Sequence, residues 1–339
     1  SYFLWSSAPD AELRRLADEG RLRDAEVLKS QARRLLKDEK VRRLATEFAC
    51  QWLQVYEFDK LDEKSERHFP EFNGLKGDMY DEVIRYFTQL LQNDDSIRSI
   101  YSSDHAVVNA PLAKFYGFKV DGTGLSETSW QDVPGADRSG RGGVLTMAAV
   151  LAKQSGASRT SPILRGNWVS EVLLGERLPR PPKDVPPLPE EEAGSELTVR
   201  QLVEKHTSDA RCSHCHARID PFGFTLEEFD AIGRKRNKDL SGHAIQASSR
   251  LADGTKLDGA PALQKYLLTT REDAVIRQFC RKLLGYALGR SVQLSDEPLL
   301  AEMKKRLREN DYHVSVAIEA IVESRQFREI RGEQVASAP

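Results

Sequence analysis

Cys212-Ser213-His214-Cys215-His216 constrains this chain more than any other stretch. The C-x-x-C-H spacing is that of covalent attachment of a c-type haem. Two thiols three residues apart can each add to one vinyl group of a single porphyrin. The His directly after the second Cys is then carried under the ring, where its imidazole binds iron as the proximal ligand. The same five residues also suit a zinc site built from the two Cys and one or two His. A structural zinc site usually wants a second ligand pair, and no second C-x-x-C or H-x-x-x-H follows. Cys50 and Cys280 stand alone in the sequence. Spacing cannot show a disulfide between them, and two buried free thiols are expected.

After the motif, Ala217 to Phe224 reads as a short link of turn residues, and Thr225 to Ile232 as a helix. Leu226, Phe229 and Ile232 would share its inner face. Phe222, Phe224 and Phe229 would give the apolar wall that a haem edge needs, although each alone also suits an ordinary core.

Upstream, Ser7-Ala8-Pro9-Asp10 reads as a helix start with Ser7 as cap, and the helix should stop at Gly20. A second helix follows Asp24. The third carries the clearest stripe in the chain: Val41, Leu44, Ala45, Phe48, Ala49, Trp52, Leu53 and Tyr56 recur at three and four residues. A fourth carries Met79, Val83, Phe87, Leu90 and Leu91. Residues 117–143 are rich in Gly, Ser, Asp and Thr and read as irregular. Val144 to Leu151 reads as a short helix, and a further helix follows Pro162. Leu178 to Pro189 holds six prolines, so it should run extended as a strap. A polar helix from Thr198 to His206 then delivers the chain to Cys212. Residues 237–259 carry the chemistry of a small hairpin, with strands at His243-Ala244-Ile245 and Arg250-Leu251-Ala252. Residues 260–330 return to helix.

The fold class expected is therefore mainly α: a multi-helix assembly around a cytochrome c-like haem segment, with one small β-hairpin. Three regions are expected. Residues 1–140 form an N-terminal helical bundle, 141–258 the haem-binding region with its strap and hairpin, and 259–339 a C-terminal helical module packing on the haem region.

With 50 basic and 52 acidic residues, the charge balance points to neither nucleic acid nor an anionic membrane as partner. No apolar run is long enough for a transmembrane helix. The opening Ser1-Tyr2-Phe3, without Met or a signal-peptide pattern, suggests a piece of a longer protein. The compartment follows from the haem: thiol attachment normally happens outside the cytoplasmic membrane, so a periplasmic or other extracytoplasmic location is expected.

Several segments agree with one family. They are Arg141-Gly142-Gly143-Val144-Leu145-Thr146, Arg159-Thr160-Ser161-Pro162 with Arg165-Gly166-Asn167-Trp168, the proline-rich strap, and Cys212 to His216 with Ile219-Asp220-Pro221-Phe222-Gly223-Phe224. Phe229-Asp230-Ala231-Ile232-Gly233-Arg234, Leu284-Gly285-Tyr286-Ala287-Leu288-Gly289-Arg290 and Ser324-Arg325-Gln326-Phe327-Arg328 complete the set. In these the chain resembles the large planctomycete-type cytochrome c-like proteins assembled from consecutive domains of unknown function. Members often carry another cytochrome domain or a sugar-binding module upstream. The resemblance implies a secreted or periplasmic protein with one covalent haem c, suspected of redox work, and assigns no reaction.

Around the iron, His216 is the expected proximal ligand. Met147 on an apolar helical face and His206, six residues before Cys212, are the candidate sixth ligands. Arg159 and Arg165 suit bidentate pairing with haem propionates, and Trp168 and Phe222 suit the pocket wall. Two filled axial positions make an electron carrier, exchanging electrons with a redox partner protein or an upstream domain of the same polypeptide. An open distal site instead permits an oxidoreductase of peroxidase or oxidase type. The non-redox reading is a zinc-stapled structural module.

Overall fold

The computed structural model describes residues 1–119, 126–179, 188–190, 192, 194–208 and 210–329. The centre of the proline-rich strap, residues 180–187, lies outside them. In chain order the helices are α1 (Tyr2–Trp5), α2 (Ala11–Asp18), α3 (Ala25–Leu36), α4 (Arg42–Leu44), α5 (Cys50–Trp52), α6 (Phe72–Gln92), α7 (Ala110–Tyr116) and α8 (Ala148–Lys153). They continue with α9 (Pro162–Trp168), α10 (Val199–His206), α11 (Ala210–Phe224), α12 (Gly259–Thr269), α13 (Glu272–Leu288), α14 (Glu297–Glu309), α15 (Val314–Glu323) and α16 (Arg325–Arg328). The expected mainly helical class holds. Among the described residues strand is confined to two antiparallel pairs, β1 (His105–Val108) with β2 (Gln131–Pro134), and β3 (Ser248–Arg250) with β4 (Lys256–Asp258).

The chain divides into two compact units. The first holds residues 1–44, 88–97 and those from 279 on. Asp10 rather than Ser7 caps α2, because its carboxylate accepts the Leu13 N–H at 2.9 Å. Asp24 caps α3 in the same way. Helix α3 packs on α15, whose Val314, Ala317, Ile318 and Ile321 are almost wholly buried. Trp5 is buried with its indole N–H donating to Leu35 O at 2.8 Å, which satisfies the one polar atom of a large apolar ring.

The second unit holds residues 45–87 and 98–278. Two buried tryptophans tie its backbone together: Trp52 Nε1 donates to Val172 O and Trp168 Nε1 to Leu53 O, both at 3.0 Å. The third apolar stripe forms as expected for most of its length, but it contains a π-helical stretch, Ala45–Ala49, and Tyr56 is exposed. The hairpin near residue 250 lies later in sequence than the alternation suggests. Its turn is Asp253-Gly254, with Asp253 Oδ1 accepting the Thr255 N–H and Gly254 at positive φ. His243 instead closes a separate loop, where Asp239 Oδ1 accepts its backbone N–H. The β1–β2 pair was not expected. Its second strand alternates only weakly between half-buried and exposed positions, inside a segment of loop-like composition.

Residues 225–232 do not form the expected helix. Helix α11 runs on through Pro221 to Phe224, and turns follow. Leu226, Phe229 and Ile232 are still buried. The carbonyls of Leu226, Phe229 and Asp230 accept from the Arg165 guanidinium, and that of Leu226 would be used internally by a helix over 225–232.

One buried cluster of this unit carries a pH prediction. Tyr116 Oη donates to Glu82 Oε2 at 2.6 Å and accepts the Ala148 N–H at 2.9 Å, while the Arg141 guanidinium stacks 4.0 Å from the Tyr116 ring. Burial pushes the Glu82 carboxyl up to about 8. Between the unfolded carboxyl value and that point, the folded chain holds a proton that the unfolded chain has lost. Stability therefore falls as pH rises through this window. Glu82→Gln should remove that slope. By urea denaturation at pH 5 and pH 7, the wild-type loss attributable to this group should be on the order of 2 kcal/mol and absent in the variant. Equal pH dependence in the two proteins would contradict the assignment.

Candidate haem site

Helix α10 starts with a reciprocal cap. Thr198 Oγ1 accepts the Gln201 N–H at 3.2 Å, and Gln201 Oε1 accepts the Thr198 N–H at 2.9 Å. Its apolar residues Val199 and Val203 pack with Phe224 of α11, supported by Ile163 and Leu188. Packing this face turns the last residue of the helix, His206, toward α11.

Helix α11 carries Cys212, Cys215, His216 and Asp220. Spacings of three and four residues put them on neighbouring positions of one helical stripe. The two thiols are free and half-buried. His216 is also half-buried, whereas Ser213, His214, Ala217 and Arg218 are exposed. The stripe thus sits where α11 passes from solvent into the core. The imidazoles of His206 and His216 meet at a centroid separation of 5.7 Å, with ring planes at 74°. His216 Nδ1 lies 3.0 Å from Asp220 Oδ1 and 3.1 Å from Oδ2. That carboxylate leaves Nε2 as the ring nitrogen free to bind a metal.

The C-terminal half of α11 is held by backbone contact with α9. A Cβ on Gly166 would lie 2.0 Å from Ile219 O, and one on Gly223 would lie 1.8 Å from Pro162 O. The helix continues through Pro221 although that residue has no N–H to donate, and the carbonyl thereby freed belongs to exposed Ala217. Ser249 Oγ donates to Pro221 O at 2.7 Å, tying β3 to the same turn.

The other sequence-selected residues are spent inside the protein. Arg165 is 1% exposed, and its guanidinium donates to Leu226 O, Phe229 O, Asp230 O and Ser155 Oγ at 2.6–2.9 Å. Burial lowers its pKa to about 10. Arg159 donates to Pro189 O and Thr160 O. These arginines bind backbone, where carboxylate-pairing chemistry suggested a propionate clamp. Trp168 is buried with its indole on Leu53 O. Phe222 is buried against Tyr266, centroids 6.1 Å apart. Met147 is buried at the first boundary of α8, next to the Ala148 N–H bound by Tyr116, and its side chain makes no capping hydrogen bond. The structure therefore brings His206 against His216, and puts Cys212 and Cys215 on the same stripe of α11 as His216, with Phe222 buried further along that helix. Asp220 escaped the sequence reading. Its signal was the four-residue step from His216, hidden because residues 217–224 look like a turn.

Among the described residues no three His, Cys, Asp or Glu side chains converge as a metal centre, and no helix is long and apolar enough to cross a membrane. Residues 1–118 match a family model described as Protein of unknown function (DUF1592). Residues 141–239 match one described as Protein of unknown function (DUF1588), and residues 253–327 one described as Protein of unknown function (DUF1585). No curated protein and no solved structure matches the chain.

Proposed function

We propose, on the premise that the chain carries three consecutive domains of the planctomycete-type cytochrome c-like multidomain family, that it is an extracytoplasmic c-type cytochrome. In this reading it holds one covalent haem through Cys212 and Cys215 and exchanges electrons with a redox partner protein or an upstream domain. The observation that carries the proposal is the pairing of His206 with His216, 5.7 Å between centroids, beside two free thiols. Two imidazoles held this close would be available to one metal ion. Haem would supply a one-electron store, and His216 and His206 are the residues that would hold its iron.

The residues present fit that group. His216 has its Nδ1 occupied and its Nε2 free, His206 ends a helix whose apolar face fixes its direction, and both thiols are reachable from solvent. The zinc alternative would need a four-ligand set, and no three-ligand cluster occurs among the described residues. If His206 and His216 both held the iron, the protein would act as a carrier rather than an oxidase or peroxidase.

Expression with a cytochrome c maturation system should give a coloured protein whose haem stays with the chain in acidified organic solvent. Cys212→Ser/Cys215→Ser should lose it. His206→Ala should convert a six-coordinate low-spin spectrum to a five-coordinate or water-ligated one and let cyanide bind faster and more tightly, whereas Met147→Leu should leave the spectrum unchanged. Extractable colour, or bound zinc in place of iron, refutes the haem. Rapid cyanide binding by the wild type, with peroxide turnover, refutes the carrier.

A further inference from the structure

We propose that Asp220 is a positioning residue that orients His216 and biases the bound iron toward its ferric state, an inference that rests on the haem reading above. Asp220 is 6% exposed. Both its carboxylate oxygens lie within 3.1 Å of one nitrogen, His216 Nδ1. Among the described residues no Lys or Arg pairs with it. A buried carboxylate is costly unless it is hydrogen-bonded and compensated. Nearby basic residues do not supply the compensation: Arg218, two positions along the helix, pairs with Glu176 at 2.9 Å instead. The geometry thus directs one buried negative charge at one imidazole.

The placement is rigid. Ile219 is pinned by the close approach of Gly166, and Phe222 by Tyr266, so the turn between them has little freedom to rotate. A carboxylate accepting Nδ1–H fixes the tautomer with its lone pair on Nε2 and makes the imidazole a stronger donor to a metal. Ferric haem carries one more positive charge than ferrous haem. A buried anion one ring away therefore stabilises the ferric form more, and the reduction potential falls. The couple concerned is the transfer of one electron from a partner protein, Fe(III) to Fe(II). No covalent bond is made or broken, and the Nδ1 proton stays on His216.

The test is a potentiometric titration of the haem-loaded wild type, Asp220→Asn and Asp220→Glu, each checked first for covalent haem. Asp220→Asn keeps the shape and a hydrogen-bond acceptor but removes the charge. At a fixed applied potential its ferrous-to-ferric ratio should rise about tenfold. That corresponds to about 59 mV upward for a one-electron couple. Asp220→Glu keeps the charge and should shift the potential less. If Asp220→Asn does not accumulate as folded, haem-loaded protein, Asp220→Ser removes the charge with a smaller side chain and should give the same upward shift. Unchanged potentials in proteins that all carry covalent haem overturn the role of Asp220 and leave the haem reading intact. A wild type without covalent haem overturns the haem reading itself.

Discussion

Gly223→Ala should destabilise this protein, although alanine inside a helix is ordinarily better than glycine by about 1 kcal/mol. Gly223 lies within α11 at an ordinary helical φ, so backbone freedom is not what requires it. Space is. Its Cβ would stand 1.8 Å from Pro162 O and 2.5 Å from Pro162 C, both backbone atoms at the start of α9. Gly166 on the facing helix is in the same position against Ile219 O and Ile219 C. Neither clash can be relieved by turning a side chain, so the helices must separate. Overpacking a well-filled site costs about 1–3 kcal/mol and sometimes more, and a backbone-to-backbone clash belongs at the upper end. Gly223→Val should be worse still. Gly74→Ala and Gly77→Ala in α6 are the controls, since a Cβ there meets nothing within 4 Å. They should be neutral or stabilising. The measurement is the urea or thermal midpoint of the four variants, read with the yield of covalent haem. Separation of α9 from α11 displaces Ile219 and Asp220 with it, so haem yield should fall in Gly223→Ala and stay unchanged in the α6 controls. A Gly223→Ala midpoint at or above wild type would mean that the two helices are not in backbone contact.

Much of this was legible because local chemistry and tertiary structure agree. Asp24 precedes α3 and caps it, the Thr198–Gln201 pair closes α10, and the stripes at three- and four-residue spacing are buried. The motif at Cys212 rests on order and spacing alone, and its haem chemistry belongs to the proposal. What escaped depends on partners distant in sequence. Residues 225–232 have helical periodicity, and their apolar side chains are buried as that periodicity requires. Only the carbonyls depart, because a guanidinium some sixty positions earlier takes them. Pro221 suggested an end to structure, yet the helix crosses it, supported by α9 on one side and Ser249 on another. The same cause bears on the site reading. Arg159 and Arg165 were singled out because arginine suits carboxylates, but nothing in a sequence distinguishes a surface arginine from one enclosed by backbone.

Arg165→Met should be the most damaging substitution in the second unit. Two of the guanidinium nitrogens serve four backbone carbonyls and Ser155 Oγ. The neighbouring Glu227 carboxylate lies 3.7 Å from Nη1 and is itself 6% exposed. Methionine would fill the volume but leave those carbonyls without donors and that carboxylate with less compensation. Each buried acceptor left unsatisfied costs about 1–3 kcal/mol, and removing one member of a buried charged pair costs about 3–5 kcal/mol. A loss of at least about 3 kcal/mol is therefore expected. Arg165→Lys keeps the charge, which at its lowered pKa of about 10 is present at neutral pH. A point-like ammonium has three donors and cannot reproduce the planar fork, so lysine should recover only part of the loss. The experiment also separates this role from contact with haem propionates. Arg165→Met is introduced into the haem-bearing protein and into the Cys212→Ser/Cys215→Ser background, which cannot attach haem, and both are unfolded in urea. A partner of the backbone costs the same in the two backgrounds. A partner of the haem costs stability only where haem is present, and that result would restore the propionate clamp and remove Arg165 from the scaffold.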